Sequence, residues 1–128
     1  MIDEDLIAYL QGLGTAAGTR VHLAVMPQEI IYPAVAVRRS SGSVDRGLGG
    51  EAIMGRGVWS IDVYGRDFVS MFAVSDDIRG ALDGYRGHMG TTRVMSASLQ
   101  NHSDFSEEDG DRKLRHLVHD FLIVHSED

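Results

Sequence analysis

Apolar and polar residues alternate most regularly between Val58 and Tyr64, where Trp59, Ile61 and Val63 interleave with Ser60, Asp62 and Tyr64. That two-residue period predicts a strand with one buried face. A less regular version of it predicts strands over Ala34–Arg39, Thr91–Leu99 and Leu114–His125, and a short one over Val21–Met26 stopped by Pro27. Helical spacing occurs twice. Ile2, Leu6, Leu10 and Leu13 form one apolar stripe on a helix over about Asp3–Leu13. Asp3, Glu4 and Asp5 suit the positive end of its dipole, and Gly12 and Gly14 end it. Phe68, Met71, Phe72, Ser75, Ile78 and Leu82 form a second stripe, on a helix capped by Asp67 and stopped at Gly84.

Two stretches carry no period. Ser40–Gly57 holds Gly42, Gly47, Gly49, Gly50, Gly55 and Gly57, and is expected to be a long flexible loop or hairpin tip, about residues 41–57. Asn101–Arg112, with Asp104, Glu107, Glu108, Asp109 and Asp111, is expected to be an acidic loop. The predicted order is helix, two strands, glycine loop, strand, helix, two strands. Its natural packing is a single α+β domain over residues 1–128, with a mainly antiparallel sheet of four to five strands and two helices on one face.

Composition narrows what such a domain can do. The 128 residues suffice for one core. The chain has no cysteine, which excludes disulfides, zinc–thiolate sites, iron–sulfur clusters and thiol catalysis. A net charge of −7 argues against ordinary nucleic-acid binding, which needs clustered Lys and Arg. Of the 12 basic side chains only Lys113 is not arginine, a bias compatible with buried protein–protein contacts but more simply explained by the codon usage of a GC-rich genome. No apolar run approaches the roughly 18 residues of a membrane span. The acidic start, Met1 to Asp5, lacks the positive segment of a signal peptide, so a cytoplasm, or something assembled there, is the expected setting.

Histidines are the first candidates for chemistry. His116, His119, Asp120 and His125 lie close in sequence, with His102 before them. On a helix His116 and His119 would share a face and could hold a metal. On a strand only His119 and His125 share one, about 20 Å apart, too far for one ion. Asp62 and Asp120 each sit inside an apolar strand, as a tuned acid or, more commonly, as the partner of an arginine on a neighbouring strand or subunit. The glycines of Gly47-Leu48-Gly49-Gly50 and Gly55-Arg56-Gly57 lack a following Gly-Lys-Ser/Thr, and no Gly-x-Ser-x-Gly elbow occurs. The acidic run lacks the spacing of an EF-hand loop. No catalytic residue, metal ligand or cofactor site is expected.

The order and spacing of several segments resemble a known family. After the first helix come Arg20-Val21-His22, then Tyr32-Pro33-Ala34-Val35-Ala36-Val37-Arg38-Arg39-Ser40, then Val58-Trp59-Ser60-Ile61-Asp62-Val63-Tyr64-Gly65. A helix ending Ile78-Arg79-Gly80-Ala81-Leu82-Asp83-Gly84 and a strand Arg115-His116-Leu117-Val118-His119-Asp120-Phe121-Leu122-Ile123 come next. Together, over about residues 5–125, these resemble the tail-completion proteins of long-tailed phages, similar in fold to lambda-type tail terminators. His102-Ser103-Asp104-Phe105 departs from the aromatic–Asp–Pro-like turn of relatives, having no proline.

The resemblance implies a virion structural protein, not an enzyme, assembled in the host cytoplasm. It implies a hexameric ring on the head-proximal end of a tail tube, which stops tube polymerisation and meets the head-connector protein. DNA would pass through its lumen without specific binding, helped by the acidic balance, and no membrane is involved. Arg38, Arg39, Asp45, Arg46, Glu51, Arg56, Asp62 and Asp120 are then candidate interface residues, and the glycine loop a lumen- or tube-facing element. Two other readings remain open: another neck or head-completion protein, and a small metal-dependent hydrolase using His119 and Asp120.

Overall fold

The structure, a computed structural model, describes residues 2–23, 31–46, 48–50, 52–104, 107–109 and 112–126. Helix α1, Ile2–Gln11, buries Ile2, Leu6 and Leu10 at intervals of four residues. Helix α2, Phe68–Leu82, begins where Asp67 accepts the Ser70 backbone N–H at 2.8 Å, and ends at Asp83 just before Gly84, whose φ is +84°. The strands are β1 Val21–Leu23, β2 Ala34–Arg46, β3 Ala52–Gly65, β4 Gly87–Met89, β5 Thr92–Asp104, β6 Glu107–Asp109 and β7 Arg112–Ser126. The expected continuation of β1 to Met26, with Pro27 and the stretch up to Ile30, lies outside the described residues.

The sheet differs from expectation in three ways. Its strand order is β1-β2-β3-β7-β5-β4, six strands where four to five were expected. The short β6 adds a pairing to β7 where β5 leaves it: Asp104 faces Leu117, and Glu107 faces Leu114. The sheet is also mixed, because β1 runs parallel to β2, with Val21 beside Val35. Finally, the stretches expected as loops are largely strand. β2 and β3 pair from Ala34↔Tyr64 out to Arg46↔Ala52, so the glycine-rich segment is largely a two-stranded arm, with a turn described at residues 48–50. Backbone pairing needs no apolar period, and the glycines and serines hide the strand. In the acidic stretch Asn101–Asp104 end β5, Glu107–Asp109 form β6, and Arg112 starts β7.

One face of the sheet carries the core. Val35 and Val37 of β2, Trp59, Ile61 and Val63 of β3, and Phe121 and Ile123 of β7 pack against Met71, Val74, Ile78 and Leu82 of α2 and Leu6 and Leu10 of α1. Both helices therefore lie on this covered face. α1 touches both end strands of the sheet, β1 and β4, which requires the sheet to curl until its two edges approach one helix. Gln11 Nε2 donates to the carbonyls of Thr19 and Val21 on the β1 side. On the other side Thr92 Oγ1, at the start of β5, donates to the Asp5 carboxylate. The β4–β5 turn fits there through Gly90, with φ +56°, since a Cβ at that position would run into the Asp5 carboxylate. α1 thus closes a seam.

Where β2 and β3 leave the core, Arg39 and Ser41 bracket a β-bulge opposite Trp59 and Val58. A bulge bends the pair and redirects the strands beyond it. Gly57 sits at this bend: a Cβ there would meet the Ser41 carbonyl oxygen at 2.6 Å and the Trp59 ring at 2.9 Å. The arm begins here.

Candidate functional site

Neither helix covers the second face of the sheet, and its centre is polar. Strand alternation sends Arg38, Ser60, Asp62, Tyr64, His116 and Asp120 to this side, opposite Trp59 and Phe121. Asp62 is buried and receives a fork from Arg38: Nε to Oδ2 at 2.9 Å and Nη2 to Oδ1 at 3.2 Å. His116 Nε2 stands 3.6 Å from Asp62 Oδ1, and its ring stacks on Tyr64 with centroids 4.2 Å apart. Burial alone would raise the Asp62 carboxyl, but His116 and Arg38, through hydrogen bonding and opposite charge, outweigh it and hold it below the usual carboxylate range. Beside this group Ser60 Oγ donates to Asp120 Oδ1 at 2.6 Å, and Ser40 Oγ lies 3.3 Å from Ser60 Oγ. Arg38 and Asp62 are thus engaged with each other within the chain, and Asp120 with a serine. The arginine partner expected for Asp62 comes from the adjacent strand.

His119 lies on the covered face, away from Asp120, its neighbour in sequence. It is buried, and its Nε2 is 2.6 Å from Ser75 Oγ of α2, while Nδ1 has no hydrogen-bond partner among the described residues. His125 lies on the same side at the far end of β7, edge-on to Trp59 at 5.7 Å. Among the described residues no three His, Asp or Glu side chains converge in a way that could hold a metal ion. His119 and Asp120 do not face a common cleft, so the hydrolase reading lacks a site built from that pair.

Burial lowers the His119 pKa below its ordinary value, and Arg79 and His102 nearby push the same way. The folded state therefore takes up the proton less readily than the unfolded chain. Above the unfolded value, near 6.5, both states are neutral and the full stability is present. Stability is lost as the pH falls through about 6.5 towards the lowered folded value, by at most about 1.4 kcal/mol per pH unit for one group. Urea denaturation between pH 7 and pH 5 should show this slope, and His119→Gln should flatten it. An unchanged slope in the variant would mean that His119 does not titrate this way.

The arm and the exposed side of α2 are the other two notable surfaces. On the arm Val44 and Leu48 are exposed, Leu48 fully, at 111%. Arg46 is exposed and donates to the Gly50 carbonyl at 3.0 Å, and Arg56 is also exposed. Arg39 stays at the base, its guanidinium 5.1 Å over the Trp59 ring and 2.7 Å from Asp3 Oδ2. Asp45 lies on β2 opposite Met54, and Glu51 is outside the described residues. Arg39, Arg56, His125 and Ser40 to Val44 line an open cavity of about 280 Å³ beside Trp59.

On α2 the apolar stripe is rotated from expectation. Met71, Val74, Ser75, Ile78 and Leu82 face inward, whereas Phe68 and Phe72, expected in the buried stripe, are 40% and 44% exposed. With Val69, 83% exposed, they form an apolar patch in which the two rings stack at 5.4 Å. Sequence reasoning missed it, although Val69 signalled it, being apolar yet off the stripe.

No family model matches the chain, and no curated protein is similar to it. Among solved structures, the fold is similar to that of a chain in the virion of the native gene transfer agent (GTA) particle. The TM-score is 0.62 at 16% identity, over 95% of this chain and 93% of that one. Likeness over nearly the whole of both chains shows a shared fold. Among the described residues no helix is long and apolar enough to cross a membrane.

Proposed function

We propose that this chain is a structural protein of a phage-like virion, which forms a ring, hexameric by the family resemblance, on the head-proximal end of the tail tube. The supporting observation is a fold likeness, spanning nearly all of both chains, to a chain of a gene transfer agent virion. The chemistry of the surface agrees: on the open face Arg38 pairs with Asp62 and Ser60 with Asp120, and the buried histidine faces a serine in the core. Such a surface suits contact with other proteins better than turnover of a substrate.

In this reading a ring closes because each copy uses two different patches related by rotation. One ring face takes the place of the next tube subunit, and the other does not repeat that contact, so growth stops and the head connector finds its seat. The partners are copies of this chain, the tail-tube protein and a head-connector protein, and DNA passes without specific binding. No catalytic residue or cofactor belongs to this role. The test is binding to purified tail tubes viewed by negative stain. Annular density on one end of each tube, and failure of capped tubes to elongate, supports the role. Decoration along the tube wall, or elongation at an unchanged rate with excess protein present, rejects it.

A further inference from the structure

The apolar patches of the arm tip and of α2 lie at opposite ends of one strand. β3 runs from Ala52, at the arm, to Gly65, which turns into α2 only three residues before Phe68. Thirteen steps of strand correspond to roughly 40 Å. The arm tip and the start of α2 therefore cannot cover each other within one molecule. Their chemistry is nevertheless matched. The arm tip presents Val44 and Leu48 beside the exposed Arg46 and Arg56. The exposed side of α2 presents Phe68, Val69 and Phe72, followed just over one turn after Phe72 by the exposed Asp76 and Asp77. Apolar meets apolar, and positive meets negative.

We infer that the β2–β3 arm of one copy docks on the outer side of α2 of the next copy, with Leu48 and Val44 on the Phe68–Val69–Phe72 patch and the arm arginines towards Asp76 and Asp77. This inference rests on the ring reading and adds the surfaces that make the ring. The occupant is a second copy because the complementary patches belong to the same chain and cannot meet internally. A contact between unlike patches leaves each copy with one unused patch at either side, the condition for continuing around a ring. Aromatic residues and arginine are also the side chains enriched in protein interfaces. The opposite charges select the partner and the register, and the apolar centre supplies most of the holding energy.

The absence of cysteine makes the contact directly readable. A Leu48→Cys, Val69→Cys double variant carries only two thiols, both at exposed positions that leave the core untouched. Treated with a short bismaleimide, alone and with tube ends present, it should give a ladder on a denaturing gel that ends at a closed ring. Each single variant should give no ladder. A ladder with no annular particles would support the arm–helix contact and reject ring closure. Annular particles without a ladder would keep the ring and overturn this contact. Absence of both overturns the contact along with the reading beneath it. As a second measurement, Val69→Asp should cut the ring fraction by about tenfold or more while leaving the circular dichroism spectrum unchanged. Rings at wild-type level in Val69→Asp would overturn the contact.

Discussion

Trp59→Ala is expected to lower the free energy of unfolding by about 4 kcal/mol, a large share of what holds a domain of this size together. Trp59 is 1% exposed at the centre of the covered face, opposite Phe121 and between α1 and the arm. Its indole N–H donates to Asp3 Oδ1 at 2.8 Å, and the Arg39 guanidinium lies over the ring while also bonding Asp3. One side chain thus joins the core, the first turn of α1 and the base of the arm. Alanine would leave a cavity and remove the surface on which Arg39 rests. Trp59→Phe separates the two contributions: most of the packing remains, and the loss should be nearer 1–2 kcal/mol for the missing donor to Asp3. Because this is the only tryptophan, circular dichroism rather than fluorescence should track the denaturation of all three proteins. A loss below about 2 kcal/mol for alanine would mean that the core closes over the gap, contrary to its close packing.

Arg38→Ala should cost about 2–3 kcal/mol at neutral pH, the effect of leaving a buried carboxylate without its main counter-charge. The value sits at the low end because the Arg38 side chain is 48% exposed, so solvent screens part of the pair, whereas that of Asp62 is only 5% exposed. The sign of the shift sets the pH dependence. The folded Asp62 carboxyl lies below its unfolded value, so its contribution is present above about pH 4 and is lost as the pH falls through the folded value. Without Arg38, burial opposes ionisation with only His116 to counter it, and the loss should begin at higher pH. Comparing acid denaturation of the wild type, Arg38→Ala and Asp62→Asn tests both statements. Equal stability of Arg38→Ala and wild type at pH 7, with coincident acid limbs, would show that the fork contributes nothing.

What could be read from the chain depended on burial. Trp59, Ile61 and Val63 alternate with Ser60, Asp62 and Tyr64 because one face meets the helices and the other does not, so that strand was plain. Asp67 and Gly84 marked the ends of α2 through chemistry that acts locally. The arm carried no such mark, since exposed strands held by backbone pairing can be built from serine and glycine. β4 and β6 are three residues each, too short for any period. The rotation of α2 was hidden because Phe68 and Phe72 fit a buried stripe as well as Val74 does. Partners distant in sequence could be expected only by type. An arginine was foreseeable for Asp62, but not Arg38 among eleven, and nothing in the chain pointed from His119 to Ser75.

The strand order bears on how the molecule is made. β7, the last of these elements to leave the ribosome, lies between β3 and β5 in the middle of the sheet. Until it arrives, both of those strands present unpaired edges, and the seam closed by α1 has nothing rigid to close upon. A nascent chain stalled before Arg112 would hold Trp59 and Ile61 without Phe121 and Ile123 against which to pack. Synthesis of β7, rather than of any early helix, is then the step that commits the sheet to folding, and the interval before it is when edge-to-edge aggregation threatens.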